Sequence, residues 1–223
     1  MTTTKLPGSD AARHGTGDVD LGIMIAAHNA FRRDLVKLAR TASRRNLADP
    51  VQRLAIGNGW GVFKRQLLQH HQAEDACLWP PLRARLAGST AAMSTLDAME
   101  EEHGRIDPLL AAVDRAFAGQ QVTDGHLSDV IGELATQLTR HLTHEEHDTL
   151  PLIGTTLTTG EWAGVLADIR ARGSAADAME MVPWLLDQAP PEAIPALLAS
   201  FPRVVGQRYH DDWKPRYDAQ PRW

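Results

Sequence analysis

Apolar residues recur at helical spacing along four stretches of the chain. The first runs from about Val19 to Asn46, with Leu21, Ile25, His28, Phe31, Leu35 and Leu38 on one face. Pro50 can open the second, over residues 50–79, whose stripe holds Phe63, Leu67, His70, Glu74 and Leu78. Pro80 and Pro81 are expected to end or kink it. The third runs from about Ser89 to Ala118, with Leu96, Met99, His103, Ile106 and Leu110 on one face. Pro108 inside this stretch predicts a kink or a shorter helix, and Gly119 is its stop signal. The fourth starts at Thr123 or Asp124, either of which can cap it, carries Leu127, Leu134, Leu138, His141 and Glu145, and reaches Pro151. Four long helices with short connections predict an all-α fold, an antiparallel up-down-up-down four-helix bundle.

The remainder follows a different pattern. Pro183, Pro190, Pro191, Pro195, Pro202, Pro215 and Pro221 are expected to cut residues 155–223 into short helices. Trp162, Trp184, Trp213 and Trp223 supply bulky apolar groups between them. The expected organisation is a flexible polar tail at 1–18, a bundle at 19–154, and a C-terminal helical extension at 155–223. That extension either packs on the bundle or forms an interface, so a monomer and a homodimer are both expected states.

Composition supports helix over strand, because Ala and Leu outweigh Val and Ile. A net charge of −5 argues against nucleic acid or an anionic membrane as partner. The charge is segregated. Residues 31–65 hold nine Lys/Arg and two Asp, a net +7, and residues 94–150 hold three Arg and twelve Asp/Glu, a net −9. Two hairpins whose opposite charges meet across the bundle account for this better than a basic docking patch. Cys77 is the only cysteine, so no internal disulfide forms. No apolar run reaches the length of a membrane span, and the start lacks the hydrophobic core of a signal peptide. The expected compartment is the cytoplasm.

Chemistry enters with the histidines. His70 is followed by Glu74, Asp75 and Pro80 at the fourth, fifth and tenth positions, and His141 by Glu145, Glu146 and Pro151 at the same offsets. The frame His-x3-Glu-acid-x4-Pro is thus repeated on the second and fourth helices. Residues i and i+4 share a helix face about 6 Å apart along the axis, so each pair offers an imidazole and a carboxylate to one place. His28 and His103 add one histidine to the apolar stripe of each remaining helix. Four imidazoles and two carboxylates then converge on the bundle centre, a mixed nitrogen and oxygen set that suits two iron ions. Buried glutamates are costly unless paired or ligated, and a metal pair compensates them.

Competing patterns are weaker. A ferritin-like site needs two Glu-x-x-His motifs, and only Glu100-x-x-His103 is present. A zinc protease needs His-Glu-x-x-His, and the run from His144 to His147 is one residue short. His71-x3-Asp75 and His144-x3-Asp148 repeat the His-x3-acid spacing out of register with the prolines, so they are expected to be supporting or surface groups. His14, His126, His147 and His210 are expected to face solvent, and Cys77 to be a small core residue.

The order His28, His70-x3-Glu74, His103, His141-x3-Glu145 resembles the hemerythrin-like, or HHE cation-binding, family over residues 20–153. The strings HHQAEDACLWPPL and RHLTHEEHDTLPLI are similar to that family's second and fourth helices. VPWLL and DDWKPRY are similar to extensions on its actinobacterial members. The oxygen-carrying members have a second histidine four residues after the first on the third helix, where this chain has Asp107. Their fourth helix also uses an Asp at the fifth position, where this chain relies on Glu145 at the fourth. The resemblance is therefore to the prokaryotic branch. It implies an oxo- or hydroxo-bridged di-iron centre held by His28, His70, Glu74, His103, His141 and Glu145. It also implies a small oxidant (dioxygen, hydrogen peroxide or nitric oxide) as ligand, with catalase-like peroxide decomposition as one activity. The alternative is a non-enzymatic iron-binding or redox-sensing module in which residues 155–223 transmit the metal state to a partner. A structural helical protein without metal is the remaining class.

Overall fold

The computed structural model describes residues 19–43, 49–117 and 124–223. The tail at 1–18, the end of the first helix near Asn46, Gly119 and Thr123 lie outside the described residues, as do His14 and the side chain of His126.

Every regular element among the described residues is helical. The four long helices are α1 (Gly22–Ser43), α2 (Pro50–Ala73), α4 (Thr90–Phe117) and α5 (Asp124–His144). Each packs on two others, α1 on α2 and α5, and α4 on α5 and α2, which closes a bundle. The α2 start is set by Asp49, whose carboxylate accepts from the Val51 N–H, with Pro50 in the first turn. Pro108 does not shorten α4. It is exposed, as is Gly104 four residues earlier, so the carbonyl deprived of a donor faces water.

Pro80, Pro81 and Pro151 do not stop their helices either. The chain continues from α2 through a π-turn, Glu74–Leu78, into α3 (Trp79–Leu86). It continues likewise from α5 through Glu145–Thr149 into α6 (Leu150–Thr156). The Trp79 N–H bonds the Glu74 carbonyl and the Leu150 N–H bonds the Glu145 carbonyl, five residues back in each case. A helical proline lacks the N–H for an i−4 bond and its ring crowds that carbonyl; widening the preceding turn relieves both problems.

The core has two main apolar layers. One contains Phe31, Leu38, Phe63, Leu67, Ile106, Leu110, Leu134 and Leu138. The other contains Met24, Leu78, Trp79, Leu82, Leu96, Met99, Leu150 and Ile153. Burying each such side chain contributes about 1.5–3 kcal/mol. His28, His70, Glu74, His103 and Glu145 fall between these layers in sequence, and His141 lies at the edge of the first, between Leu138 and Leu142.

Residues 159–219 form α7 (Thr159–Arg172), α8 (Ala175–Leu186), α9 (Ile194–Ala199), α10 (Arg203–Arg208), a third π-turn at Tyr209–Trp213, and α11 (Lys214–Ala219). Thr158 with Glu161, and Ser174 with Asp177, make reciprocal capping boxes at the starts of α7 and α8. Pro183 lies inside α8 and Pro215 opens α11, so neither interrupts a helix. The segment packs on the bundle. Trp184 enters the core beside Phe31 and donates its indole N–H to the buried Asp34. Arg33 donates to the carbonyls of Trp184 and Asp187, and Arg65 pairs with Glu180. The expected charge pairing across the bundle is made by Arg32 with Glu146 and Lys64 with Asp114. Arg33, Lys37 and Arg65 instead serve this C-terminal segment.

Candidate metal centre

Four helices deliver the six predicted side chains to one place. His28 comes from the second turn of α1 and His103 from the middle of α4. His70 and His141 lie in the last turns of α2 and α5, and Glu74 and Glu145 are the first residues of the two π-turns. His28 Nε2 lies 3.2 Å from Glu145 Oε2, and His70 Nε2 lies 3.1 Å from Glu74 Oε1. His103 Nε2 is 3.5 Å from Glu74 Oε2, and His141 Nε2 is 4.0 Å from Glu145 Oε2. Each carboxylate therefore faces the imidazole of its own helix and one from another helix. All six side chains are buried except His70, which is nearly so.

The donor atoms fit a cation. The Nε2 atoms of His28, His70, His103 and His141 and both oxygens of Glu74 and Glu145 are buried without a hydrogen-bond partner in the protein. Such atoms are expensive to bury unless something ligates them. With His71 added, these residues make two groups whose ligand atoms lie within 4.8 Å of one another: His28, His70, Glu74 and Glu145, and His71, His103 and His141.

Three further carboxylates aim the imidazoles. His28 Nδ1 donates to Glu146 at 2.9 Å, and Glu146 also takes Arg32. His103 Nδ1 donates to Asp75 at 3.0 Å. His141 Nδ1 donates to Glu102 at 3.0 Å, and Glu102 also takes His144. A carboxylate on Nδ1 fixes the tautomer and leaves the Nε2 lone pair for a metal. Asp75 and Glu146 are the acids of the repeated frame. Five residues turn the helix about 140° past the histidine, toward a neighbouring helix, so each serves another helix's ring.

Among the protein groups themselves the two glutamates diverge. Burial first, then the Glu145 charge, pushes Glu74 well above the usual carboxylate range. Burial also pushes Glu145 up, but His28, His70 and His141 outweigh it and hold Glu145 low. Burial lowers His28, yet Glu145 and Glu146 prevail and raise it to about 9. His70 is lowered to about 3 by burial and then by its neighbour His28.

For His71, expected to be a supporting or a surface group, the surface alternative falls. His71 is neither a surface group nor a partner of Asp75: it is buried, and its ring stacks on His103 at 3.9 Å with an interplanar angle of 9°. A signal was available, because Leu67, His71, Glu74 and Leu78 also share one helical stripe. His144 is half-exposed between Glu102 and Asp148, and His147 and His210 are exposed. Cys77 is a small residue of the second apolar layer.

Geometry and chemistry together define an all-helical bundle with a buried histidine–carboxylate centre suited to cations. The chain matches the family model for the hemerythrin HHE cation binding domain over residues 19–153, more than half its length. It belongs to that family. Comparison with curated proteins and with solved structures finds no match. No helix among the described residues is long and apolar enough to cross a membrane.

Proposed function

We propose that this HHE-domain protein holds two iron ions and reacts with a small oxidant. Dioxygen, hydrogen peroxide and nitric oxide are the candidate ligands, and catalase-like decomposition of hydrogen peroxide is the candidate activity. The observation that carries this reading is the set of buried, unpartnered imidazole nitrogens and carboxylate oxygens contributed by four helices. His28, His70, His103 and His141 would be terminal ligands, and Glu74 and Glu145, each facing imidazoles of two helices, would be shared. Bound iron would supply Lewis-acid and redox chemistry toward the oxidant.

The protein's own part is positioning and exclusion. Asp75, Glu102 and Glu146 orient three of the imidazoles. Phe31, Leu67, Met99 and Leu138 keep bulk water from the centre. The test is iron content and an optical spectrum of the purified protein, followed by a peroxide-decay assay. Two irons per chain, oxo-bridged ferric absorption and oxygen release that tracks bound iron are expected. The double variant Glu74→Ala/Glu145→Ala should lose all three. Full iron retention in that variant would overturn the ligand assignment.

A second reading, a non-enzymatic redox sensor, is favoured by one contact chain. Trp184 of the C-terminal segment lies 4.9 Å from Phe31, whose ring lies 5.3 Å from that of His70. Stoichiometric iron with peroxide decay no faster than that of iron in buffer would select it.

A further inference from the structure

The repeated frame lets α2 and α5 be compared residue by residue. His70 corresponds to His141, Glu74 to Glu145, Asp75 to Glu146 and Pro80 to Pro151. In that register His71 corresponds to Leu142. Leu142 is a fully buried member of the larger apolar layer, as its chemistry requires. His71 is buried almost as completely, yet neither of its ring nitrogens has a hydrogen-bond partner.

This is the one histidine of the centre with both nitrogens in that condition. His28, His103 and His141 each spend Nδ1 on a carboxylate, and Asp75, the acid four residues after His71, is engaged by His103. A buried imidazole without any partner costs stability that leucine would not, and the repeat indicates that leucine fits. The cost is offset if the ring meets a cation. His71 stacks on His103 and lies 5.3 Å, edge on, from His141, and one nitrogen from each of the three rings falls within a common 4.8 Å.

We infer that His71 is a fifth imidazole ligand, so that one ion is held by His71, His103 and His141 and the other by His28 and His70, with Glu74 and Glu145 shared. This rests on the two-iron reading above. The two ions then differ in their nitrogen shells, although the frame that supplies most ligands is duplicated. The asymmetry arises at a buried position where the two copies differ, His71 against Leu142.

His71→Leu, which copies Leu142, tests it. In the wild-type protein, Mössbauer spectra should resolve two ferric environments. In the variant, one iron should be released to a chelator at an affinity at least tenfold weaker. The remaining ligands should give a single environment, and far-UV circular dichroism should stay unchanged. Both irons held with unaltered affinity and spectrum in the variant would overturn the inference and leave the two-iron reading intact. Fewer than two irons in the wild type would instead defeat that reading. Should His71→Leu fail to fold, cobalt(II)-loaded wild-type protein decides the question. Five hyperfine-shifted imidazole N–H resonances are expected, and four would overturn the assignment.

Discussion

At the scale of single residues, the centre depends on carboxylates that touch no ligand position. Glu102 is the clearest case, since it accepts from both His141 and His144. Burial raises its pKa, but hydrogen bonds from the two histidines prevail, and the net shift is downward. Glu102→Ala removes the group that fixes the His141 tautomer and leaves a buried Nδ1–H without an acceptor. Iron affinity is predicted to fall about 10–100-fold, with helix content unchanged. Chelator competition and circular dichroism check this, and unaltered affinity would mean that packing alone orients His141. The four predicted histidines and two glutamates are brought together because spacing along a helix is enough to place them on one face. The partners of Asp75 and Glu146 were not legible, since those acids act across helices and a one-dimensional period does not say which helix comes next. The burial of His71 is hard to read for a related reason: its shift out of register with Pro80 leaves a supporting and a surface role both open, while its spacing to Leu67 and Leu78 points inward.

At the scale of elements, one local device recurs. Each of the three π-turns begins six residues before a proline, at Glu74 with Pro80, Glu145 with Pro151, and Tyr209 with Pro215. Two of the three begin at the glutamates of the centre. The prolines read as stop signals in the sequence because a missing N–H breaks an α-helix; here the wider turn absorbs the defect and the helix resumes. In Pro151→Ala, a new N–H can reach the His147 carbonyl and restore α-helical bonding. The chain after Glu145 would then rotate relative to the carboxylate, while Leu150 and Ile153 are held by the core. The variant is predicted to keep or gain helicity yet to retain iron about tenfold less tightly. Iron retention equal to the wild type would show that apolar packing, not the proline, holds the turn open. The third π-turn has no histidine–glutamate pair to announce it, so the sequence frame alone did not connect Tyr209 with the other two.

At the scale of the whole molecule, the question is how firmly residues 159–223 are held. Trp223 covers Gly59 so closely that a Cβ there would meet its ring at 2.5 Å, and its N–H donates to the Ala55 carbonyl. Gly57, one α-helical half-turn away and exposed, would meet nothing within 4 Å. Gly57→Ala is therefore predicted to stabilise the protein by about 0.5–1 kcal/mol through helix propensity. Gly59→Ala should forfeit that gain by displacing Trp223. Thermal melts of the pair separate the two effects, and equal stabilisation would show that Trp223 is not docked on α2.

The tyrosines report on the same docking from the other side. Tyr217 packs in the core with Trp184, and burial raises its pKa from 10.0 to about 12, against the opposing charge of Arg222, whose guanidinium stacks on the ring. Tyr209, buried beside Val182 and Leu186, is also raised, first by burial. A folded-state pKa above the unfolded value means that folding favours the neutral phenol. The resulting stabilisation, on the order of 2 kcal/mol for Tyr217, is complete below pH 10 and is lost as pH rises toward 12. Because both tyrosines of the chain lie in the C-terminal segment, the loss is predicted to loosen that segment from the bundle. Absorbance at about 295 nm should therefore show no ordinary tyrosine titration, with both phenols ionising late, Tyr217 the later of the two. Tryptophan emission should shift to the red over the same interval as Trp184 leaves Phe31 and the wall beside His70 opens. Ionisation of both tyrosines near pH 10 with no change in emission would mean that residues 159–223 do not pack on the bundle in solution, and the contact chain from Trp184 to His70 would carry no signal.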